Sequence, residues 1–185
     1  MQRSVSLFPL ILAALLALPA GAAAFEAVFA KTAVDRFEIK TLPPCRVLET
    51  SLDGDYFERS GALFKTLFAY IRSHDVSMTV PVEASLEAAG MRFFLGSEDR
   101  ERPLAEEEGV RVAELPRRTV ASHGVRGGYS RDNVLEAKGR LEAWLKKRPE
   151  YRPEGEPYAV FWNAPYVPWF LKRFEVHVPI EETEE

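Results

Sequence analysis

A strand and helix pattern that occurs twice along the chain constrains its fold more than any other feature. Each copy has two segments of alternating apolar and polar residues, an amphipathic helix, and two further alternating segments. The turn at Leu42-Pro43 recurs as Leu115-Pro116, and at the same offset Asp55-Tyr56 recurs as Gly128-Tyr129. We therefore predict a tandem pair of strand-strand-helix-strand-strand units.

Each unit by itself places one helix against a four-stranded sheet. Two units side by side can bury both apolar helix faces and curl the joined sheet into a barrel-like shape. At 185 residues the chain is long enough for one such domain and too short for two large ones. We predict a single α+β domain with pseudo-twofold symmetry. The predicted strands are 37–40, 45–50, 78–82, 91–95, 110–114, 118–123, 158–163 and 174–180, and the predicted helices are 56–72 and 134–145.

The first predicted helix carries a wide apolar face. This face spans about 160° of the circumference of the helix. A place in the core is the simplest interpretation of most of its side chains. They are Leu63, Phe64, Leu67, Phe68, Tyr70 and Ile71, opposite Lys65, Ala69 and Arg72.

The strand that follows this helix contains a proline. Pro81 cannot donate a ladder hydrogen bond, so we expect that strand at a sheet edge or beside a bulge.

The chain begins with a pattern typical of a secretory signal peptide. Arg3 precedes an apolar run from Val5 to Leu18, and small residues continue to Ala24. We expect an exported protein, periplasmic in a Gram-negative cell and otherwise secreted, with no membrane span after cleavage. The predicted divisions are a signal peptide at 1–24, a lead-in at 25–36, the folded domain at 37–180 and an acidic tail at 181–185.

The composition argues against several kinds of partner and chemistry. The formal net charge of −4 argues against a nucleic-acid partner, and the single Cys45 cannot form an internal disulfide. The chain lacks Cys-x-x-Cys-His for covalent heme, Gly-x-Ser-x-Gly, His-Glu-x-x-His and a phosphate-binding glycine loop. We therefore expect that the protein is not an enzyme.

Aromatic residues are concentrated between the last two predicted strands. This segment contains Tyr166, Trp169 and Phe170 together with two prolines, although only a hairpin connection is needed there. Prolines stiffen such a loop, and aromatic side chains in a stiff loop suit a flat apolar ligand. Lys172 and Arg173 follow and can pair with acidic groups on that ligand. Alternatively, the aromatic residues cover the end of the barrel.

Five short motifs occur along the chain in an order typical of one known family. They are Phe37-Glu38-Ile39-Lys40, Met78-Thr79-Val80-Pro81-Val82, Leu115-Pro116-Arg117-Arg118-Thr119-Val120-Ala121, aromatic-Asn163-x-Pro165 and Arg173-x-Glu175-Val176. In these motifs the chain resembles the SOUL/heme-binding-protein family from Asp35 to Ile180. The resemblance implies a distorted eight-strand antiparallel barrel with two flanking helices. It also implies non-covalent binding of a small planar hydrophobic ligand, namely heme or another tetrapyrrole.

The resemblance places the ligand between the first helix and the loop that joins the last two strands. Where some members have a histidine in the first strand, this chain has Thr41, which leaves His74, just past the first helix, as the candidate iron ligand. We expect a structural role for His123 and a solvent-facing position for His177 beside Glu175. The implied apolar contacts are Phe64, Leu67, Phe68, Ile71, Tyr166, Trp169 and Phe170, and the cations for acidic ligand groups are Lys65, Arg72, Lys172 and Arg173.

Three alternatives stay open at this point. The scaffold can bind a different amphipathic small molecule. It can also be an enzyme that acts on such a ligand, which requires a buried carboxylate such as Glu83 or Glu175 in the pocket wall, with a shifted pKa. Thirdly, it can be a structural protein, in which case the apolar helix face and the aromatic segment are both fully covered.

Overall fold

The computed structural model describes residues 25–183. The predicted signal peptide at 1–24 lies outside the described residues. Within 25–183, no helix is long and apolar enough to cross a membrane. The helices are α1 (Tyr56–Ser73) and α2 (Arg131–Leu145), with a short 3₁₀ turn at Trp169–Leu171. The strands are β1 (Glu26–Ala27), β2 (Phe37–Leu42), β3 (Cys45–Ser51), β4 (Thr79–Val80), β5 (Val82–Ser85), β6 (Gly90–Phe94), β7 (Arg111–Leu115), β8 (Arg118–Arg126), β9 (Tyr151–Pro153), β10 (Tyr158–Phe161) and β11 (Arg173–Glu182).

Eight strands form one curled antiparallel half-barrel. Their order is β2-β8-β11-β10-β5-β6-β3-β7, and β9 pairs with β11. If the two halves of the sequence are exchanged, the same order is read from the other end of the sheet. The pseudo-twofold axis therefore passes between β10 and β5, which pair through Tyr158 with Ser85 and Phe161 with Val82. The predicted α+β fold of two similar halves is confirmed.

Both helices pack on the same face of this sheet. Each begins at a capping side chain, since Asp55 Oδ1 accepts the N–H of Phe57 at 2.8 Å and Ser130 Oγ accepts that of Asn133 at 3.3 Å. Their apolar faces and the facing strand residues form one core. The buried helix side chains in it are Tyr56, Leu63, Leu67, Tyr70, Ile71, Val134, Ala137, Leu141 and Leu145.

The opposite face of the sheet is covered by residues 25–36, which we call the N-terminal strap. Its first part pairs with β4, and the ring of Phe29 packs edge-on against Phe94 and Trp162 at centroid distances of 5.7 and 5.5 Å. The strap backbone crosses directly over Gly124, where an added Cβ would lie 2.4 Å from the carbonyl oxygen of Ala33. The predicted lead-in is therefore part of the packed fold.

A buried polar cluster joins the strap to the sheet at Glu175. Its Oε1 accepts the backbone N–H of Thr32 at 2.8 Å and the indole N–H of Trp162 at 2.7 Å. Its Oε2 accepts from Lys40 Nζ at 2.6 Å and from Ser122 Oγ at 3.0 Å. Both oxygens are thus fully occupied, as a buried carboxylate requires.

The prediction that His177 faces solvent is wrong. Alternation does point its side chain away from Val176 and Val178, but the strap covers that side of the sheet, and His177 is fully buried. Its Nε2 lies 2.7 Å from Glu175 Oε2, and its Nδ1 lies 3.2 Å from the Tyr158 hydroxyl. Burial lowers the pKa of His177 against the opposing effect of Glu175. A neutral ring that donates from Nε2 and accepts at Nδ1 satisfies both contacts.

Two further expectations differ from the structure. The strand predicted at 78–82 was expected at a sheet edge or beside a bulge. It is instead interrupted at Pro81, which lies in the break between β4 and β5, and β5 is central in the sheet, between β10 and β6. The missing N–H of Pro81 therefore costs no ladder bond. The acidic tail predicted from residue 181 begins inside β11, where Glu181 and Glu182 pair with β9.

Candidate functional site

An apolar groove lies between α1 and the loop that follows β10. We call this loop, residues 162–172, the aromatic loop. The groove consists of two adjoining cavities of about 520 and 440 Å3. Phe64, Val82, Phe161, Asn163 and Pro165 line both of them. The first cavity extends to Tyr56, Phe57, Tyr129 and Arg131, and the second to Phe25, Phe68, Met78, Val80 and Tyr166.

The wide apolar face of α1 contributes side chains both to the core and to the groove. Leu67 and Ile71 are buried in the core, whereas Phe64 is half-buried and Phe68 is 39% exposed. Because they are four positions apart, Phe64 and Phe68 lie one above the other on the helix, and their rings stack at 5.6 Å with an interplanar angle of 16°. This pair forms a flat aromatic wall of the groove.

The base of the aromatic loop is held by Tyr129 and Asn163. The Tyr129 hydroxyl accepts the backbone N–H of Asn163 at 2.8 Å and donates to the carbonyl oxygen of Arg173 at 3.0 Å. Asn163 Oδ1 accepts the N–H of Arg173 at 2.7 Å. Burial raises the pKa of Tyr129 to about 12, so its hydroxyl stays protonated at neutral pH. These bonds fix the width of the groove entrance.

Arg131 supplies a cation to the first cavity. Its guanidinium lies over the ring of Phe57, 5.0 Å from the centroid, and Nη2 contacts Asp55 Oδ1 at 2.5 Å. The hydrogen bond from Arg131 lowers the pKa of Asp55. With an acidic ligand in the groove, this guanidinium can reach an additional carboxylate.

Of the predicted contact residues, Phe64, Phe68 and Tyr166 line the groove. Leu67 and Ile71 lie behind its wall in the core. Lys65 and Arg72 are exposed on α1 outside the lining. On the aromatic loop, Trp169 and Phe170 point to solvent, Arg173 is exposed, and Lys172 Nζ lies over the Tyr129 ring at 4.9 Å.

His74, the candidate iron ligand, is not in the groove lining. Its ring stacks on Tyr70 at 4.0 Å, its Nδ1 lies 3.0 Å from the Tyr70 carbonyl oxygen, and its Nε2 lies 3.3 Å from Glu107. The lining contains two sulfur atoms, that of Met91 in the first cavity and that of Met78 in the second. Among residues 25–183, no three His, Cys, Asp or Glu side chains gather to hold a metal ion.

The two carboxylates considered for an enzyme, Glu83 and Glu175, are both buried. Both project from the strap side of the sheet, because Val82 and Val176 beside them face the helices. Glu83 is paired with Arg92 at 2.7 Å and with Arg118 at 2.5 Å. Neither carboxylate lines the groove.

Several lining residues were not predicted from the sequence. No sequence pattern assigned a ligand-binding role to Phe57, Phe161 or Arg131, which line the first cavity. The sequence repeat could have indicated two of the lining residues, because Tyr56 and Tyr129 occupy equivalent positions in the two halves and both line the first cavity. Phe25 and Met78 both line the second cavity, where the fold brings together parts of the chain that are distant in sequence.

The fold and the groove define a small α+β half-barrel protein with an open apolar groove beside its first helix. The chain matches the family described as SOUL heme-binding protein over residues 22–179. It therefore belongs to that family, as the sequence motifs predicted. No protein of curated function matches the chain at a significant level.

Solved structures share the fold at low sequence identity. The C-terminal domain of EcmrR is 13% identical with a TM-score of 0.64, over 80% of this chain and 98% of that one. EcmrR in a DNA complex is 14% identical with a TM-score of 0.65 over 80% of this chain, which spans 58% of that chain's length. A hydrolase from Listeria innocua is 11% identical with a TM-score of 0.52, over 81% of this chain and 94% of that chain.

Proposed function

We propose that the groove binds a planar amphipathic small molecule of the tetrapyrrole class without covalent attachment. The observation that carries this proposal is the open apolar groove between two aromatic walls, Phe64 with Phe68 on α1 and Tyr166 on the aromatic loop. A flat ring between such walls gains stacking and loses contact with water. Membership of the SOUL heme-binding protein family supports the same ligand class.

The lining fits the ring of heme better than its iron. Apolar and aromatic side chains suit the macrocycle, and Arg131 suits a carboxylate at its edge. The lining contains no histidine, and its soft donors are the thioethers of Met78 and Met91. Bound heme would supply a redox-active iron, while this chain's residues would position the ring and exclude water from its faces.

The hypothesis of a purely structural protein predicts that the apolar face of α1 and the aromatic loop are both fully covered. Phe68 is 39% exposed and Tyr166 is 84% exposed, so neither surface is covered within residues 25–183. An enzyme that uses Glu83 or Glu175 on the bound ligand has no support, because both carboxylates point to the strap side. Binding of another amphipathic molecule by the same groove is the remaining alternative.

The test is a titration of the purified protein with hemin and with metal-free protoporphyrin IX. We expect saturable one-to-one binding of both, which Phe68→Ala and Tyr166→Ala each weaken about tenfold. Trp169→Ala, on the same loop but outside the lining, is the matched control and should bind normally. Unchanged binding in both groove variants would show that the ligand does not bind in the groove. Saturable binding of other planar amphiphiles alone would move the proposal to that class.

We further propose that the protein is exported and carries or stores this ligand outside the cytoplasm. The basic, apolar and small-residue pattern of residues 1–24 supports export. Mass spectrometry of the protein recovered from the cell's exported fraction tests it. We expect a mature chain that begins after Ala22 or Ala24, and an uncleaved chain confined to the cytoplasm would contradict the proposal.

A further inference from the structure

The tip of the aromatic loop exposes four large apolar side chains in a short stretch. Tyr166 is 84% exposed, Trp169 69%, Phe170 53% and Leu171 49%. The rings of Trp169 and Phe170 contact each other edge-on at 5.8 Å. Soluble domains rarely leave a contiguous apolar patch of this kind in water, so the patch indicates a contact surface.

The loop is rigid before it meets any partner. Two prolines and the 3₁₀ turn at Trp169–Leu171 fix its backbone, and the N–H of Gly127 donates to the carbonyl oxygen of Lys172 at 3.0 Å. Trp169, Phe170 and Leu171 are exposed to solvent, and Phe170 and Leu171 line neither cavity of the groove. An exposed apolar tip that is already ordered suits insertion into a soft, deformable phase, with little loss of conformational entropy.

Cations surround this tip, although the whole chain carries a net charge of −4. Arg126, Lys172 and Arg173 form no ion pair with any residue in 25–183, and Arg126 pairs in register with Arg173 on adjacent strands. Two carboxylates share a small cavity with Trp169, and one of them, Glu136, is neutralised by Arg140 at 2.5 Å. Tryptophan and tyrosine beside unpaired cations are typical of segments that lie at the interface of an anionic bilayer.

We propose that the aromatic loop docks the protein on an anionic lipid surface. Trp169, Phe170 and Leu171 enter the boundary between headgroups and acyl chains, and Arg126, Lys172 and Arg173 contact the lipid phosphates. Tyr166 is both at this tip and in the groove wall, so the groove opens beside the bilayer. The docking does not depend on which ligand the groove binds.

The test uses sedimentation of the ligand-free protein with phosphatidylcholine vesicles, with and without phosphatidylglycerol. We expect binding to the anionic vesicles, and the double variant Trp169→Ser with Phe170→Ser should lower the partition coefficient roughly tenfold or more. Leu135→Ser, which removes an apolar side chain that is 47% exposed on α2, is the control and should bind as the wild type does. Lys172→Glu with Arg173→Glu should lose roughly twentyfold on anionic vesicles and little on neutral ones.

Brominated lipids locate the inserted side chain. The chain has three tryptophans, and Trp162 is buried while Trp144 is partly buried on α2. Fluorescence of the wild type should therefore be quenched through Trp169, and Trp169→Phe should bind vesicles without that quenching. Absence of wild-type binding to anionic vesicles would overturn the proposal, as would an equal loss in Leu135→Ser. Self-association abolished by the serine pair, without vesicle binding, would assign the loop to a protein contact instead.

Discussion

The backbone N–H of Thr32 donates a 2.8 Å hydrogen bond to Oε1 of Glu175, although the two residues are 143 positions apart. Thr32 belongs to the N-terminal strap and Glu175 to the last strand. The same carboxylate also accepts from Lys40 and Trp162. One buried charge therefore holds the strap, the first long strand and the end of β10 together.

Removal of that charge should destabilise the fold. We expect Glu175→Gln to lower the free energy of unfolding by about 3–5 kcal/mol, because Lys40 then loses its buried partner. Urea denaturation measures this change. Glu181→Gln, which breaks the exposed pair with Arg152, is the matched control and should cost under about 1 kcal/mol. Equal effects of the two substitutions would contradict a special role for the buried carboxylate.

The same cluster predicts loss of stability in acid. Burial alone would raise the pKa of Glu175, but His177 and Lys40 lower it from 4.5 to about 2. The stabilisation is therefore complete above pH 4.5 and is lost as the pH falls towards 2, on the order of 3 kcal/mol in total. The pKa of His177 is also lowered from 6.5, so stability begins to decline below that pH. Urea titrations from pH 7 downwards should show both phases, and Glu175→Gln should lack the acidic one.

Two glycine substitutions should change stability in opposite directions. At Gly124 an added Cβ would meet the backbone oxygens of Ala33 and Thr32 at 2.4 and 2.6 Å, so Gly124→Ala should cost about 2 kcal/mol or more by displacing the strap. At Gly139, within α2, the added Cβ would meet no atom within 4 Å other than those of its immediate neighbours and the backbone of its own helix. Gly139→Ala should therefore stabilise by about 0.5–1 kcal/mol through helix propensity. Thermal unfolding of both variants measures the difference, and a stabilised Gly124→Ala would refute the close crossing of the strap.

Loss of the Tyr129 hydroxyl should loosen the aromatic loop. Tyr129→Phe leaves the N–H of Asn163 without its partner, at a cost of about 1–3 kcal/mol. Hydrogen exchange in the loop should accelerate, while exchange in the core of α1 should not. Tyr151→Phe is the control, since the Tyr151 hydroxyl makes no hydrogen bond in the described part of the chain. Unchanged loop exchange in Tyr129→Phe would show that the prolines alone hold the loop.

Adjacent positions on α1 should separate stability from ligand binding. Leu67 is fully buried, and Leu67→Ala should cost about 2–5 kcal/mol of unfolding free energy. Phe68 faces the groove, and Phe68→Ala should cost well under that while it weakens tetrapyrrole binding. Paired unfolding and binding measurements on the two variants test the assignment. A large stability loss in Phe68→Ala with normal binding would place Phe68 in the core instead.

Local sequence patterns predicted most of the elements correctly. Alternation identified β2 and β3, and the helical period identified α1, because these signals depend on neighbours within a few residues. The repeated turn at Leu42-Pro43 then gave the two halves. Strand β9 was missed, because three residues with Pro153 carry no periodic signal.

Local sequence patterns could not predict the contacts between distant segments of the chain. The side of β11 on which His177 lies followed from alternation, but nothing local showed that the strap covers that side. In the same way, the apolar face of α1 did not reveal where the core ends and the groove begins. Phe64 and Phe68 line the groove while Leu67 lies in the core, and the residues that β5 and the aromatic loop place opposite them decide this difference.

The order of the strands gives the two halves of the chain equivalent positions about the pseudo-twofold axis. Corresponding connections in the two halves can therefore be compared directly. The link between β5 and β6 is the short turn at 86–89, whereas its counterpart between β10 and β11 runs from 162 to 172. The first half has a minimal hairpin inside the sheet. The longer connection of the second half forms one wall of the groove, opposite Phe64 and Phe68 on α1, so the groove is built where the two halves differ most in length.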